Sequence, residues 1–497
     1  MSSSKLSHIP AEFIYFQNYP VLSLPIQNRG KSKTKSMAKV QKLSELSQSF
    51  SFTEYDFYEH YLRTFENTVL GKMKKLLPLR EMAENFGLVS KRRRPNRGPK
   101  PYFTPEGKVA LAFLKTYTQT SAPKLMEQLN GNVHYQIFCG IRINPERPLE
   151  NYKLIDDILG ELAGKMKIQQ LQNLLAEAWK PYMKDLDTMY TDATCYENDM
   201  RYPTDQKLLW ECNEKAYAVM CEASGRLGIR RPRTKYLDVE KANMGYMKQR
   251  KHSKSQKRKI IRQLLQLLGK ILKEIRKMER VHPEAEVLTD KEKRTIDIVT
   301  KVYRQQSNHF ESGNPRESVP DRIVSVSKPY MRPIVREKEV KSVEFGAKCN
   351  NIQVDGISFI EKLSFNAFNE GTRLQHCVKM HKRLFGVDVK KIGGDTSYAG
   401  KDNRDFCKEK NILTSFVKRG RPSNNAKEKD FVRQGLARVR ATTMEGSFGT
   451  QKEHYSMRRI KARKKETEIL YIFFGIHTAN AVRLAERMTE QQQAEAA

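Results

Sequence analysis

A chain of 497 residues is long enough for two to four domains and a sizeable core, and with hydrophobic residues at 38% and aromatics at 9% most of it can fold. Against 57 acidic residues stand 91 Lys and Arg, a formal charge of +34 that points to a polyanionic partner, nucleic acid first. No run of about 18 apolar residues offers a membrane span, Gln17, Asn18, Pro20 and Pro25 interrupt the only stretch resembling a signal peptide, and seven scattered cysteines without a Cys-x-x-Cys pair give no hint of zinc.

In chain order, residues 1–50 are rich in Ser, Lys and Gln and read as a flexible basic arm. From Phe52 to Leu88 the apolar spacing is helical, with Gly87 as the C-terminal cap. The link "KRRRPNRGPKPYF" follows. It is either a solvated linker or an arm that lays Arg92, Arg93 and Arg94 along DNA phosphates. Short helices are expected over residues 104–140, opened by Thr104-Pro105 and Ser121-Ala122-Pro123, and a longer one from Ile155 to Trp179. Such a set suits either a helix-turn-helix-like DNA reader or a small helical bundle.

Residues from Asp205 to Tyr330 are again helical and strongly basic, with a broad apolar stripe along "QKRKIIRQLLQLLGKILKEIRKMER". After Tyr330 the period changes. Two strands, Val343 to Ile352 and Ile357 to Phe365, meet at a Val-Asp-Gly turn; a helix from Arg373 to Leu384, the strand "VDVKKIGGD", a helix near Asp402 to Glu409 and the strand "NILTSFV" follow. With the strand Asp187 to Thr191 these make an α/β arrangement.

Three acids stand out in that frame. Asp192 ends the strand "DTMYTD", Asp395 ends "VKKIGGD" where Gly393 and Gly394 leave room for close approach, and Glu445 lies in the helical "TTMEGSFGTQK". Ligand sites in α/β sheets gather at the carboxyl ends of strands, and hard cations such as magnesium take carboxylate oxygens. Asp205 reads as a helix N-cap and Asp355 as a turn residue.

The stretches "YTDATCYENDMRYPTD", "VEFGAKCNNI", "IGGDTSYAGKDNRDFCKEKNI" and "MEGSFGTQKEHYSMRRIKAR" occur in one order over about Leu186 to Asn480. In that order they resemble the insertion-sequence transposases with a DDE catalytic triad on a ribonuclease-H-like fold. The resemblance implies an α/β ribonuclease-H-like catalytic domain over residues 181–490, a mixed five-stranded sheet with a helical insertion at about 207–318. An all-α DNA-binding region would precede it over residues 51–180, and a flexible tail would follow over 491–497. Asp192, Asp395 and Glu445 would be the catalytic, metal-binding triad, holding two magnesium ions for which manganese may substitute. Lys452, seven residues after Glu445, would hold DNA phosphate, and Arg458 and Arg459 in the basic run beyond it would grip DNA as well. One departure stands: many relatives carry an arginine four residues before the glutamate, where this chain has Ala441, with Arg440 one earlier.

The implied function is an enzyme, a metal-dependent transposase that binds element ends and target DNA, cleaves and transfers strands, and works as a homodimer on DNA in the bacterial cytoplasm, with no membrane partner. Two alternatives remain open at this stage: a structure-directed endonuclease of the same fold, and a non-catalytic basic nucleic-acid-binding protein.

Overall fold

The structure, a computed structural model, describes residues 57–89, 101–314, 319–335, 343–417 and 426–496. The expected arm over residues 1–50 and Arg92, Arg93 and Arg94 lie outside them.

Between Phe57 and Tyr182 the described elements are helices. Two short turns, Phe57–Leu62 and Arg63–Glu66, lead into α1 (Val69–Leu76) and α2 (Leu79–Asn85). Gly87 at φ +62° ends α2, its N–H and that of Leu88 closing onto Glu84 and Ala83. Next come α3 (Pro105–Thr118), α4 (Ala122–Gly131), α5 (Val133–Cys139), α6 (Lys153–Lys165) and α7 (Ile168–Trp179). Their starts are fixed locally: Thr104, Ser121 and Asn132 each accept a hydrogen bond from the backbone N–H three residues on. The single helix expected from Ile155 to Trp179 is two helices broken at Met166 and Lys167. The core explains the break. Leu171 follows Leu162 by about two and a half turns, so one unbroken helix would turn their apolar stripes to opposite sides.

Six strands form a sheet five strands wide: β1 (Thr188–Glu197), β2 (Pro333–Val335), β3 (Val343–Val354), β4 (Ile357–Ser364), β5 (Lys391–Gly393) and β6 (Leu413–Thr414). β3 lies antiparallel between β1 on one edge and β2 and β4 on the other, and β5 and β6 extend the sheet from β1 in parallel. The strands expected at "VDVKKIGGD" and "NILTSFV" shrink to three and two residues. Asp355 (φ +47°) and Gly356 (φ +76°) turn β3 into β4, and Arg487 and the Lys184 N–H donate to the Asp355 carboxylate. The outer edge of β4 is covered by two buried amides. Gln172 exchanges hydrogen bonds with the backbone of Ile360, and Asn480 does the same with Ser358, so the edge is closed to a further strand.

On the helical side, α12 (Leu374–Phe385) and α13 (Lys401–Glu409) precede α14 (Ala426–Val439), α15 (Glu445–His454) and the long α16 (Lys465–Ala496). The last of these runs on through 491–496 as helix. It packs on α1, α3, α6 and β4, so a single apolar cluster joins the first helices to the sheet. Trp179 is the junction: its indole N–H donates to the Leu76 carbonyl, and its ring meets Phe359 and His477. Burial among aromatic rings drives His477 down to about 3, so it is a neutral core histidine.

Between β1 and β2, four helices form a unit with its own apolar cluster: α8 (Asp205–Arg226), α9 (Tyr236–Lys248), α10 (Lys254–Val281) and α11 (Asp290–Ser312). Capping boxes start α10 and α11. Asp205 is not the cap expected of it. Thr204 caps α8, and Asp205, one residue inside, pairs with Arg322 at 2.7 Å.

Candidate active site

Along β1 successive side chains point to opposite faces. Tyr190, Asp192 and Tyr196 face α14 and α15: Tyr190 clusters with Leu436, Met444 and Phe448, and the Tyr196 hydroxyl donates to Gln451 at 2.6 Å. Thr191 turns the other way, to Cys377 of α12. Asp192 therefore does not end its strand as expected; β1 continues to Glu197 because its pairing with β3 runs on to Gly346. The strand that ends is its parallel neighbour. β5 stops at Gly393 opposite Tyr190, leaving one edge of β1 open from Asp192 onward.

Asp395 lies two residues past that end. It caps the turn Thr396–Tyr398, accepting from the Ser397 N–H. Gly393 is required by packing, since a Cβ there would sit 2.3 Å from the Tyr190 ring. Gly393→Ala is expected to destabilise the fold by about 1–3 kcal/mol, measured by chemical denaturation.

Glu445 opens α15 and is half exposed. The turn before it, Arg440–Met444, is wound as a π-helix, and the Glu445 N–H reaches the Arg440 carbonyl five residues back. In this winding the Arg440 carbonyl lies about one turn before Glu445. Its guanidinium bridges two of the three acids, with Nη1 2.6 Å from Asp192 Oδ2 and Nη2 3.3 Å from Glu445 Oε1.

Burial pushes the Asp192 carboxyl up to about 6. Arg440 and the Ala193 N–H pull it down, while the charges of Asp395 and Glu370 push it further up. Asp395 is thus within electrostatic reach of Asp192. Glu370 is an addition that sequence reasoning missed: it sits in a loop after β4, held by Lys348 at 2.6 Å, and nothing in "NAFNEG" distinguishes it from a turn residue.

Among the described residues no group of three or more His, Cys, Asp or Glu side chains is set to hold a metal ion. The acids supply only oxygen, the donor type a hard cation takes, and Asp192 and Glu445 are here paired with the Arg440 guanidinium.

Lys452 lies on α15 two turns from Glu445, its ammonium 6.0 Å from the centre of the Tyr196 ring. The helix ends at His454: Tyr455 leaves it and Ser456 adopts φ +58°. Arg458 pairs with Glu453, and Arg459 lies 3.9 Å from Asp199. Lys452, Arg458 and Arg459 line a cavity of about 550 Å³ with Lys115, Thr120 and Lys461. It lies between the α3–α4 turn and the loop after α15, so helices from both ends of the chain build one basic cleft.

The sheet thus places Asp192 against Arg440 and Glu445, and the basic cleft lined by Lys452 lies two turns further along α15. The family model described as a transposase domain (DUF772) matches residues 58–156, from the first helical turns into the start of α6, about a fifth of the chain. No curated protein and no solved structure matches the chain. The domain match supports a transposase, and with it a protein that binds and cleaves DNA. No helix among the described residues is long and apolar enough to cross a membrane.

Proposed function

We propose that the chain is the transposase of an insertion sequence, which binds the ends of its element and catalyses strand cleavage and strand transfer from a DDE triad, Asp192, Asp395 and Glu445. The observation that carries this reading is the guanidinium bridge from Asp192 to Glu445 with Asp395 alongside, in a chain whose first helices match a transposase domain. The mixed α/β sheet interrupted by a helical unit supports a ribonuclease-H-like catalytic domain over residues 181–490. The helices of 51–180 would be the DNA-binding region. Both work on element ends and target DNA as a homodimer in the bacterial cytoplasm.

Asp192, Asp395 and Glu445 would hold magnesium, or manganese in its place. When bound, the metal would supply Lewis-acid activation of water for cleavage and of the freed 3′ hydroxyl for transfer. The chain's own residues position the substrate. Arg440 sets Asp192 and Glu445 at one spacing, and Lys452, Arg458 and Arg459 hold DNA phosphates along the cleft.

The test is incubation of the full chain with a labelled element-end duplex, magnesium and a target plasmid. Joined products are expected. Cleavage without joining would favour a structure-directed endonuclease of the same fold, and binding without cleavage a non-catalytic DNA-binding protein.

A further inference from the structure

The segment from Arg230 to Arg262 carries thirteen Lys and Arg against two acids, Asp238 and Glu240, so 13 − 2 = +11 of the chain's +34 lies in 33 residues. All thirteen cations are exposed. The salt bridges of the helical unit use Lys215, Arg226 and Arg322, none of which is among them.

The segment is held in place rather than loose. Arg231 lies over the Tyr217 ring at 5.3 Å, Tyr236 stacks on Tyr217 at 3.8 Å and meets Trp210, and Asn243 accepts a hydrogen bond from Gln206. Residues 230–248 thus run back along α8 from Tyr217 to Gln206, eleven residues or about 17 Å of helix. His252 then stacks on Tyr246 at 3.9 Å and folds the basic turn 249–253 into the start of α10, where Arg258 and Arg262 pack over Phe310. Val239 and Asn243 are the buried residues of α9, which leaves its cations facing outward.

We propose that this face of the helical unit is a second DNA-binding surface, which takes duplex backbone without regard to sequence and apart from the carboxylates. Duplex DNA carries one charge per ~1.7 Å of axis, so about 17 Å presents roughly ten phosphates, facing the six cations of residues 230–248, and the seven cations from Arg250 to Arg262 extend the surface beyond that span. The inference rests on the reading of the chain as a DNA-handling protein, which the transposase-domain match supports, and needs no part of the triad. A lipid surface is the competing partner, since Leu237, Met244 and Met247 are exposed on α9 among the cations.

The experiment uses the full chain carrying Asp395→Asn, so that no cutting intrudes, and a duplex of random sequence titrated between about 50 and about 300 mM salt. Arg250→Ala, Lys251→Ala, Lys254→Ala and Lys257→Ala are introduced together. The slope of log affinity against log salt should become shallower by about 3, and affinity at 150 mM salt should fall about tenfold or more. A second variant, Lys235→Ala with Lys241→Ala and Lys248→Ala, should shift the slope the same way by about 2 to 3. An unchanged slope in both folded variants overturns the proposal, as does binding lost to phosphatidylserine vesicles but kept to the duplex. Failure of the transposase reading would appear elsewhere, as absent cleavage by the chain with Asp395 intact.

Discussion

Arg440→Ala is expected to slow strand cleavage by about 100-fold or more while leaving the fold intact, because it removes the one cation that spans Asp192 and Glu445. Without it the buried Asp192 carboxyl loses the protein charge that offsets Asp395 and Glu370. Its pKa then rises above about 6, and the acid limb of the pH–rate profile moves to higher pH with it. Arg440→Lys should give an intermediate result, since a single ammonium cannot reach both carboxylates as the fork does. A lower melting temperature with an unshifted pH profile would assign Arg440 a purely structural role.

Glu468→Gln should change the pH dependence of stability between about pH 4.5 and pH 7. Glu468 is fully buried, and burial drives its carboxyl up from 4.5 to about 7, against hydrogen bonds from Tyr330 and Asn198 and the nearby charge of Lys328. An acid whose pKa is higher folded than unfolded binds more protons in the native state between the two values. Stability is therefore greatest below pH 4.5 with respect to this group and is lost as pH rises to about 7, a total of about 3 kcal/mol. Glutamine cannot titrate. The stability of Glu468→Gln relative to wild type should then grow by about 3 kcal/mol across that window, measured by urea denaturation at several pH values. The same cluster fixes the end of β1, because Asn198 accepts from Lys328 while donating to Glu468, so a parallel pH trend in activity is expected.

Features set by a few neighbouring residues could be read from the sequence. The caps at Thr104 and Ser121, the Asp355-Gly356 turn and the helical unit after β1 depend on side chains within one turn or on a sustained apolar stripe. Features set by partners distant in sequence could not. That β1 runs past Asp192 depends on β3, some 160 residues later, and the split between α6 and α7 depends on which core each stripe faces. The π-turn before Glu445 was not visible, since a helix with an extra residue per turn has the same composition as one without. Glu370 gave no signal, because its proximity to Asp192 exists only once the sheet has formed.

The most direct measurement compares wild type with Asp395→Asn and Glu445→Gln on a labelled element-end duplex in magnesium, at matched DNA occupancy. Both variants should bind as wild type does and cut at least about 1,000-fold more slowly, the scale of several kcal/mol of lost transition-state stabilisation. Cleavage by either variant at the wild-type rate would contradict the site built from Asp192, Asp395 and Glu445.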